Sequence, residues 1–186
     1  EPDFRLNQFI GLAHRLVEIG QEQGCDYIVL AGDITHKAII PPKVEHTIKQ
    51  FFDILNSRWD KDHLLYILGN HDKAEKQAET VIEQSSIPVI ADSKATYCHK
   101  QIKTIGGRSV AFMDWLPKQD LSWIEKQVDL FIGHVTIDPM FGQEIDQSKF
   151  KLGIAGDIHR PISLNNIHST SVPVPHYISD DQNGKV

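Results

Sequence analysis

The sequence is poor in cysteine and has no long apolar run. Its two cysteines, Cys25 and Cys98, are too few for a disulfide scaffold. No stretch approaches the roughly 18 continuous apolar residues of a membrane span, and no secretory signal is visible. These absences predict a protein of the cytoplasm, the host's if a phage encodes it, with no membrane partner.

The chain also lacks an excess of basic charge. Its formal net charge is −6, which argues against broad electrostatic binding to nucleic acid. Such binding is not excluded, because the formal charge leaves out bound cations, which would neutralise the carboxylates around them. The 10 histidines among 186 residues keep metal binding open.

Apolar periodicity predicts one α/β domain over residues 1–186. No repeat of about 20 to 50 residues is visible, and helical spacings alternate with buried-strand runs before short strands take over. We predict helices over 4–23, from Pro41-Pro42, over 74–84 and over 120–127. We predict strands over 26–30, 63–68, 88–90, 101–104, 109–113, 129–132 and 151–155, with two more after Asn165.

Polar side chains follow four predicted strands, in each case directly after a glycine. The loops at the carboxyl ends of strands in an α/β sheet lie close together, and glycine lets the backbone turn sharply beside an ion or a phosphate. Any one of these motifs alone is usually a plain turn, but four of them in series indicate one site. The motifs are GDITH at 32–36, GNHD at 69–72, GH at 133–134 and GDIH at 156–159.

This series resembles the calcineurin-like metallophosphoesterases, whose later motifs run GD, GNH(D/E), GH and GHxH. Two details are most similar to DNA-repair nuclease subunits of the SbcD type: His36, three residues after Asp33, with a proline-led helix behind it, and the closing segment KFKLGIAGDIHRP. The resemblance implies a four-layer α-β-β-α sandwich with two divalent cations that activate water for attack on phosphorus. Manganese suits such mixed oxygen and imidazole ligands, with iron, zinc or nickel as alternatives.

The resemblance also implies a role for each residue of the motifs. Asp33 would bridge both cations, Asn70, His134 and Asp157 would bind one of them, and His159 would face the other. His71 would act on the scissile phosphate as an acid or a transition-state stabiliser. The remaining candidates are His36 as a second catalytic or substrate-contacting histidine, Lys37 and Arg160 as phosphate contacts, and Asp72 as a residue that orients His71 or holds its loop. The alternatives are a plain loop histidine for His36 and solvated side chains for Lys37 and Arg160.

The chain departs from the family pattern in two places. Asp157 stands where the family usually has histidine, and its shorter, charged side chain favours harder ions. The Asp-x-His motif of the family's first strand has no counterpart before Asp33. We therefore expect a preceding strand in the natural protein, and weak or no activity from these 186 residues.

Three functions follow from the resemblance. The first is a metal-dependent nuclease subunit of a DNA repair or recombination complex, for which an ATPase partner of the SbcC type and a homodimer are open alternatives. The second is a phosphatase or small-substrate phosphodiesterase with the same site chemistry. The third is a catalytically silent scaffold of the same fold.

Overall fold

The chain folds into two β-sheets packed face to face, with helices on one outer side. A computed structural model describes residues 2–74, 85–137 and 145–170. The helices are α1 Pro2–Glu22, α2 Pro42–Asn56 and α3 Ser86–Ala91, together with a 3-10 turn at Gln147–Lys149. The strands are β1 Ile28–Ala31, β2 Leu64–Ile67, β3 Thr96–Tyr97, β4 Gln101–Ile105, β5 Arg108–Met113, β6 Val128–His134, β7 Phe150–Gly156, β8 Ser163–Leu164 and β9 Ile167–Ser169.

The two sheets differ in width and in strand direction. The narrower sheet has the order β1-β2-β3 and is parallel throughout. The wider sheet has the order β4-β5-β6-β7-β9-β8, in which β5, β6, β7 and β9 run parallel and the two outer pairs are antiparallel. This confirms the predicted α/β class. The strands predicted over 101–104 and 109–113 correspond to β4 and β5, which form an antiparallel hairpin through Gly106-Gly107.

Alternating side chains of β2 connect three layers of the fold. Leu64 and Tyr66 face the helices, where they meet Phe52 and Leu55. Leu65 and Ile67 face the wider sheet and pack with Phe112, Ile132 and their neighbours. Because both faces of β2 are covered, all four of its residues are buried, as expected for a strand in the centre of a parallel sheet.

The outer face of the wider sheet is covered by turns rather than by the helix that we predicted over 120–127. Leu121 and Ile124 pack there against Phe131 and Phe150. The carboxylate of Asp120 accepts the Ser122 N–H at 2.8 Å and closes a tight turn. That local bond competes with helix formation.

The strand predicted over 88–90 is also wrong, because these residues lie in α3. Ser85 caps this helix by accepting the Ile87 N–H. Ile87, Ile90 and Ala91 are buried, a helical spacing, while Val89 between them is 80% exposed. The predicted helix over 74–84 and most of the tail after β9 lie outside the described residues. None of the described helices combines the length and apolarity that a bilayer crossing requires.

β1 is an edge strand of the narrower sheet, and its residues are more exposed than those of β2. All four residues of β1 are partly exposed although they are apolar. β1 also ends beside β2, β6 and β7, so the four glycine-led motifs meet at one edge of the sandwich. This edge holds the candidate site.

Candidate functional site

The site begins with two aspartates that have left-handed backbones. Asp33 follows β1 with φ 51° and Asp157 follows β7 with φ 80°, a conformation that is uncommon for residues other than glycine. Gly69, at the exit of β2, approaches Asp33 so closely that a Cβ added there would lie 2.0 Å from Asp33 Oδ1. The sharp turns at Asp33 and Asp157 and the lack of a Cβ at Gly69 therefore let three loops come together, as the sequence predicts.

His134 lies at the centre of the site and is almost fully buried. Its Nδ1 is 2.8 Å from the carbonyl oxygen of Ala31, which accepts the Nδ1 proton and orients the ring. Its Nε2 then points at three oxygen-bearing side chains. It is 3.4 Å from Asp33 Oδ2, 3.6 Å from Asp157 Oδ1 and 3.3 Å from Asn70 Oδ1.

The electrostatics of this cluster follow from burial and mutual charge. Burial lowers the pKa of His134, but the carboxylates of Asp157 and Asp33 outweigh burial and raise it to about 10. Burial raises the pKa of Asp33 and of Asp157, but His134 outweighs burial and holds both below their usual value. Positive charge between the two carboxylates is therefore strongly favoured, and in the metal-free protein a proton on His134 supplies it.

The donor set also fits a divalent cation. One atom of the Asn70 side-chain amide, which is either its oxygen or its nitrogen, lies 3.2 Å from both carboxylate oxygens of Asp33. An amide nitrogen there donates to the carboxylate, whereas an amide oxygen there requires a cation between the groups. Two ligands about 2.1 Å from one ion lie about 3.0–3.4 Å apart when they are neighbours in its coordination shell. The observed separations of 3.2, 3.3, 3.4 and 3.6 Å are close to that spacing.

Histidine, cysteine and carboxylate groups alone do not form a ready metal site. Among the described residues, no group of three or more of them is arranged to hold an ion. The amide oxygen of Asn70 is therefore an essential part of the proposed set.

Asp72 holds together the two loops that carry Asp33 and His71. It is fully buried, and its carboxylate accepts Thr35 N at 2.7 Å, Thr35 Oγ1 at 2.8 Å, Gly69 N at 2.9 Å and Ile34 N at 3.3 Å. Burial and the charge of Asp33 raise the pKa of Asp72, while these donors act in the opposite direction. Of the two roles predicted for Asp72, its contacts match that of holding the loops.

The two histidines predicted for catalysis lie side by side. The rings of His36 and His71 stack with centroids 4.8 Å apart and planes inclined by 17°. The backbone N–H of His71 donates to Asp33 Oδ1 at 3.0 Å, which places the His71 loop directly beside the ligand cluster. His36 is exposed and His71 is partly exposed, so a substrate can reach both rings.

His159 lines the same cavity as Asp33, His134 and Asp157. The cavity has a volume of about 360 Å³ and extends from these residues along β1 to the apolar side chains of α1. Lys37 and Arg160 are both exposed at the ends of the motifs that precede them. The structure therefore places His159 in the same cavity as the aspartates and His134, whereas for the two basic residues it shows exposure at the surface.

Sequence reasoning missed two threonines that support the aspartates. Thr136 Oγ1 donates to Asp157 Oδ2 at 2.6 Å, and Thr35 makes the two bonds to Asp72 described above. Thr136 is two residues beyond His134, and side chains two apart in an extended segment point the same way. That spacing was the available signal for Thr136.

The comparison with known families agrees with this arrangement. The family model described as "Calcineurin-like phosphoesterase" matches residues 5–161, which include all of the site residues named above. A search of curated proteins finds no match.

Proposed function

This chain belongs to the calcineurin-like phosphoesterase family, and on that premise we propose that it hydrolyses phosphodiester bonds in DNA with divalent metal ions. The family is one of metal-dependent phosphoesterases, so hydrolase chemistry follows from membership of it. The observation that carries the proposal is the convergence of Asp33, Asn70 and Asp157 on Nε2 of His134, at 3.4, 3.3 and 3.6 Å.

These four side chains would hold the first metal ion, with Asp33 also facing the second. When bound, a divalent ion supplies charge stabilisation for phosphate oxygens and acidifies water. The residues do the positioning. Ala31 keeps the Nε2 atom of His134 directed at the ion site, and Thr136 orients Asp157 by its hydroxyl bond.

His71 would act on the phosphodiester itself. The bond from its backbone to Asp33 fixes the loop beside the metal ligands, and its partly exposed ring can reach a phosphate held there. A protonated imidazole can neutralise a developing oxyanion or donate its proton to the leaving oxygen. The stacked ring of His36 would restrict the orientation of His71 and contact the same substrate.

His159 would serve the second ion together with a strand that carries Asp-x-His. The cavity along β1 supports this part of the proposal, because it lies beside the partly exposed outer strand of the narrower sheet. A strand added there would extend the parallel sheet and cover the apolar face of α1. Its carboxyl end would reach Asp33 and His159.

The choice of DNA rests on the SbcD-type details of the sequence and on two exposed cations. Lys37 and Arg160 are exposed and directly follow the first and last motifs, and exposed basic side chains can contact phosphates without reading bases. The net charge of −6 instead favours a small phosphodiester substrate. That acidic balance makes a small-substrate phosphodiesterase the second candidate.

The test is a turnover assay with Mn²⁺ on linear DNA and on a generic phosphodiester ester, with His71→Ala as the control. The assay uses the chain extended upstream of Glu1, because we expect weak or no activity from the 186 residues alone. Degradation of DNA that His71→Ala abolishes would support the nuclease proposal. Cleavage of the ester alone would contradict the choice of DNA and favour the second candidate. Binding of Mn²⁺ without turnover on either substrate would favour a silent scaffold.

The added strand has a separate test. Extending the chain by the coding sequence upstream of Glu1 should raise Mn²⁺-dependent turnover, because the second ion then gains its ligands. An upstream sequence without Asp-x-His, or full activity of the 186 residues alone, would contradict the proposal of an added strand.

A further inference from the structure

A buried charged group lies behind the metal-ligand cluster and is not used by the chemistry described above. Asp114 follows β5 and is fully buried. Its Oδ1 accepts the Leu68 N–H at 2.9 Å, and its Oδ2 accepts the hydroxyl of Tyr97. Lys73, which is 6% exposed, has its Nζ 3.8 Å from Asp114 Oδ2.

The contacts of this group fall on the two ends of one loop. Leu68 and Lys73 flank the GNHD segment, residues 69–72, which carries Asn70 and His71. At the first end, Asp114 binds Leu68 N, and the Trp115 N–H donates to Leu68 O at 2.9 Å. At the second end, Lys73 Nζ donates to the Trp115 carbonyl at 2.5 Å. Residues 114 and 115 therefore bind both ends of the loop.

Charge makes these contacts dependent on one another. A buried ion pair contributes little net stability compared with apolar side chains of similar volume, but removing one partner leaves the other charge uncompensated. Asp114 is the carboxylate that faces the ammonium of Lys73, and it also accepts the strand-end amide of Leu68. The pair is therefore expected to add little net stability, while each of its members contacts one end of the loop or the residue next to it.

We propose that Asp114, together with Lys73, is a positioning residue that holds the 69–72 loop so that Asn70 and His71 meet the metal and the substrate. The inference rests on the proposed function for its catalytic consequence. Neither residue touches the substrate, and each acts through the ends of the loop. The hydrogen bond from Leu68 N–H to Asp114 also joins the narrower sheet to the wider one, since Leu68 follows β2 and Asp114 follows β5.

The experiment compares Asp114→Asn, Lys73→Met and the double variant with the unmodified chain. The matched control is Asp129→Asn, because Asp129 also pairs with a lysine, Lys151 at 2.6 Å, at the beginning of β6 and away from the site. The readouts are amide hydrogen exchange at Asn70 and His71, Mn²⁺ affinity by calorimetry, and turnover, all well below the melting temperature. Tyr97→Phe is a milder variant that keeps the ring and removes only the hydroxyl donated to Asp114.

We expect Asp114→Asn to raise amide exchange at Asn70 and His71 about tenfold and to weaken Mn²⁺ binding about tenfold. Tyr97→Phe should change both in the same direction by less, and Asp129→Asn should change neither. Lys73→Met should also raise exchange, because it releases the second end of the loop, whereas the double variant should lower the melting temperature by less than the sum of the two single changes, since both buried charges are then removed. Turnover should fall with the Mn²⁺ affinity.

A lower melting temperature with unchanged exchange and Mn²⁺ affinity in both Asp114→Asn and Tyr97→Phe would overturn the inference and leave the pair a purely structural role. Turnover is compared in the chain extended upstream of Glu1, and absence of turnover in that form contradicts the proposed function. Exchange at Asn70 and His71 then still decides whether the pair positions the loop.

Discussion

Replacing Asp72 by alanine should destabilise the protein far more than an ordinary surface substitution. Asp72 connects the GDITH loop after β1 to the GNHD loop after β2 through a fully buried carboxylate. Its acceptor bonds reach Ile34, Thr35 and Gly69 on two separate segments. Alanine would remove the acceptor and leave these buried donors without a partner.

The expected magnitude follows from those bonds. A buried donor left unsatisfied costs about 1–3 kcal/mol, and bonds to a charged acceptor are at the upper end of the range. Four donor bonds end on Asp72, at 2.7, 2.8, 2.9 and 3.3 Å. Some relaxation and entry of water will recover part of the loss. We therefore expect the free energy of unfolding to fall by about 3–5 kcal/mol, a large share of the roughly 5–15 kcal/mol that a domain of this kind has.

Urea denaturation followed by tryptophan fluorescence measures this loss, with Asp120→Ala as the matched control. Asp120 accepts the Ser122 N–H and hydroxyl at 2.8 and 2.9 Å, a pattern like that of Asp72 with Thr35, but it lies on the surface. Water can replace those bonds, so Asp120→Ala should change stability little. Equal losses for the two variants would refute the reasoning that burial makes Asp72 essential.

Three further predictions concern the site. The pKa of His134 is raised to about 10, against an unfolded value near 6.5. Its contribution to the stability of the metal-free protein is therefore complete below about pH 6.5 and is lost as the pH rises through about 10. Melting temperatures measured in chelator should decline across this range, and a constant melting temperature would contradict the reasoning. Asp157→His should shift binding from Mn²⁺ toward Zn²⁺ or Ni²⁺ by about tenfold, which competitive calorimetry would detect, and an unchanged preference would remove Asp157 from the ligand set. Gly69→Ala should abolish Mn²⁺ binding because its Cβ would overlap Asp33, and retained binding would contradict the close packing of the two loops. Gly11→Ala is the control: Gly11 has open space around it in α1, so this change should stabilise the protein by about 0.5–1 kcal/mol.

Most elements could be predicted from the sequence because their signals are local. The first helix, the helix after Pro41 and the strands before each glycine-led motif lie close to their predicted positions. Each of them combines a strong apolar periodicity with a glycine or proline at its end, for example Gly24 with φ 62° after α1. Such signals depend little on the rest of the chain.

The two wrong elements had ambiguous apolar runs. The run IPVI at 87–90 suits a buried strand by composition, but the cap at Ser85 begins a helix there. The run after Asp120 has helical spacing, yet only a turn forms before β6 begins at Val128. Short apolar runs do not distinguish a strand from a helix, so capping and the available neighbours decide.

The sequence by itself determined which residue types stand after which strands, and hence the family and the candidate site. Only the tertiary structure decided how those residues meet. It brings His134 between Asp33 and Asp157, binds Asp72 to the other loop, and pairs Asp114 with Lys73 behind the GNHD segment. The physical reason is that a motif is set by neighbours along the chain, whereas these contacts join residues 23 or more positions apart. Their geometry depends on how the sheets pack.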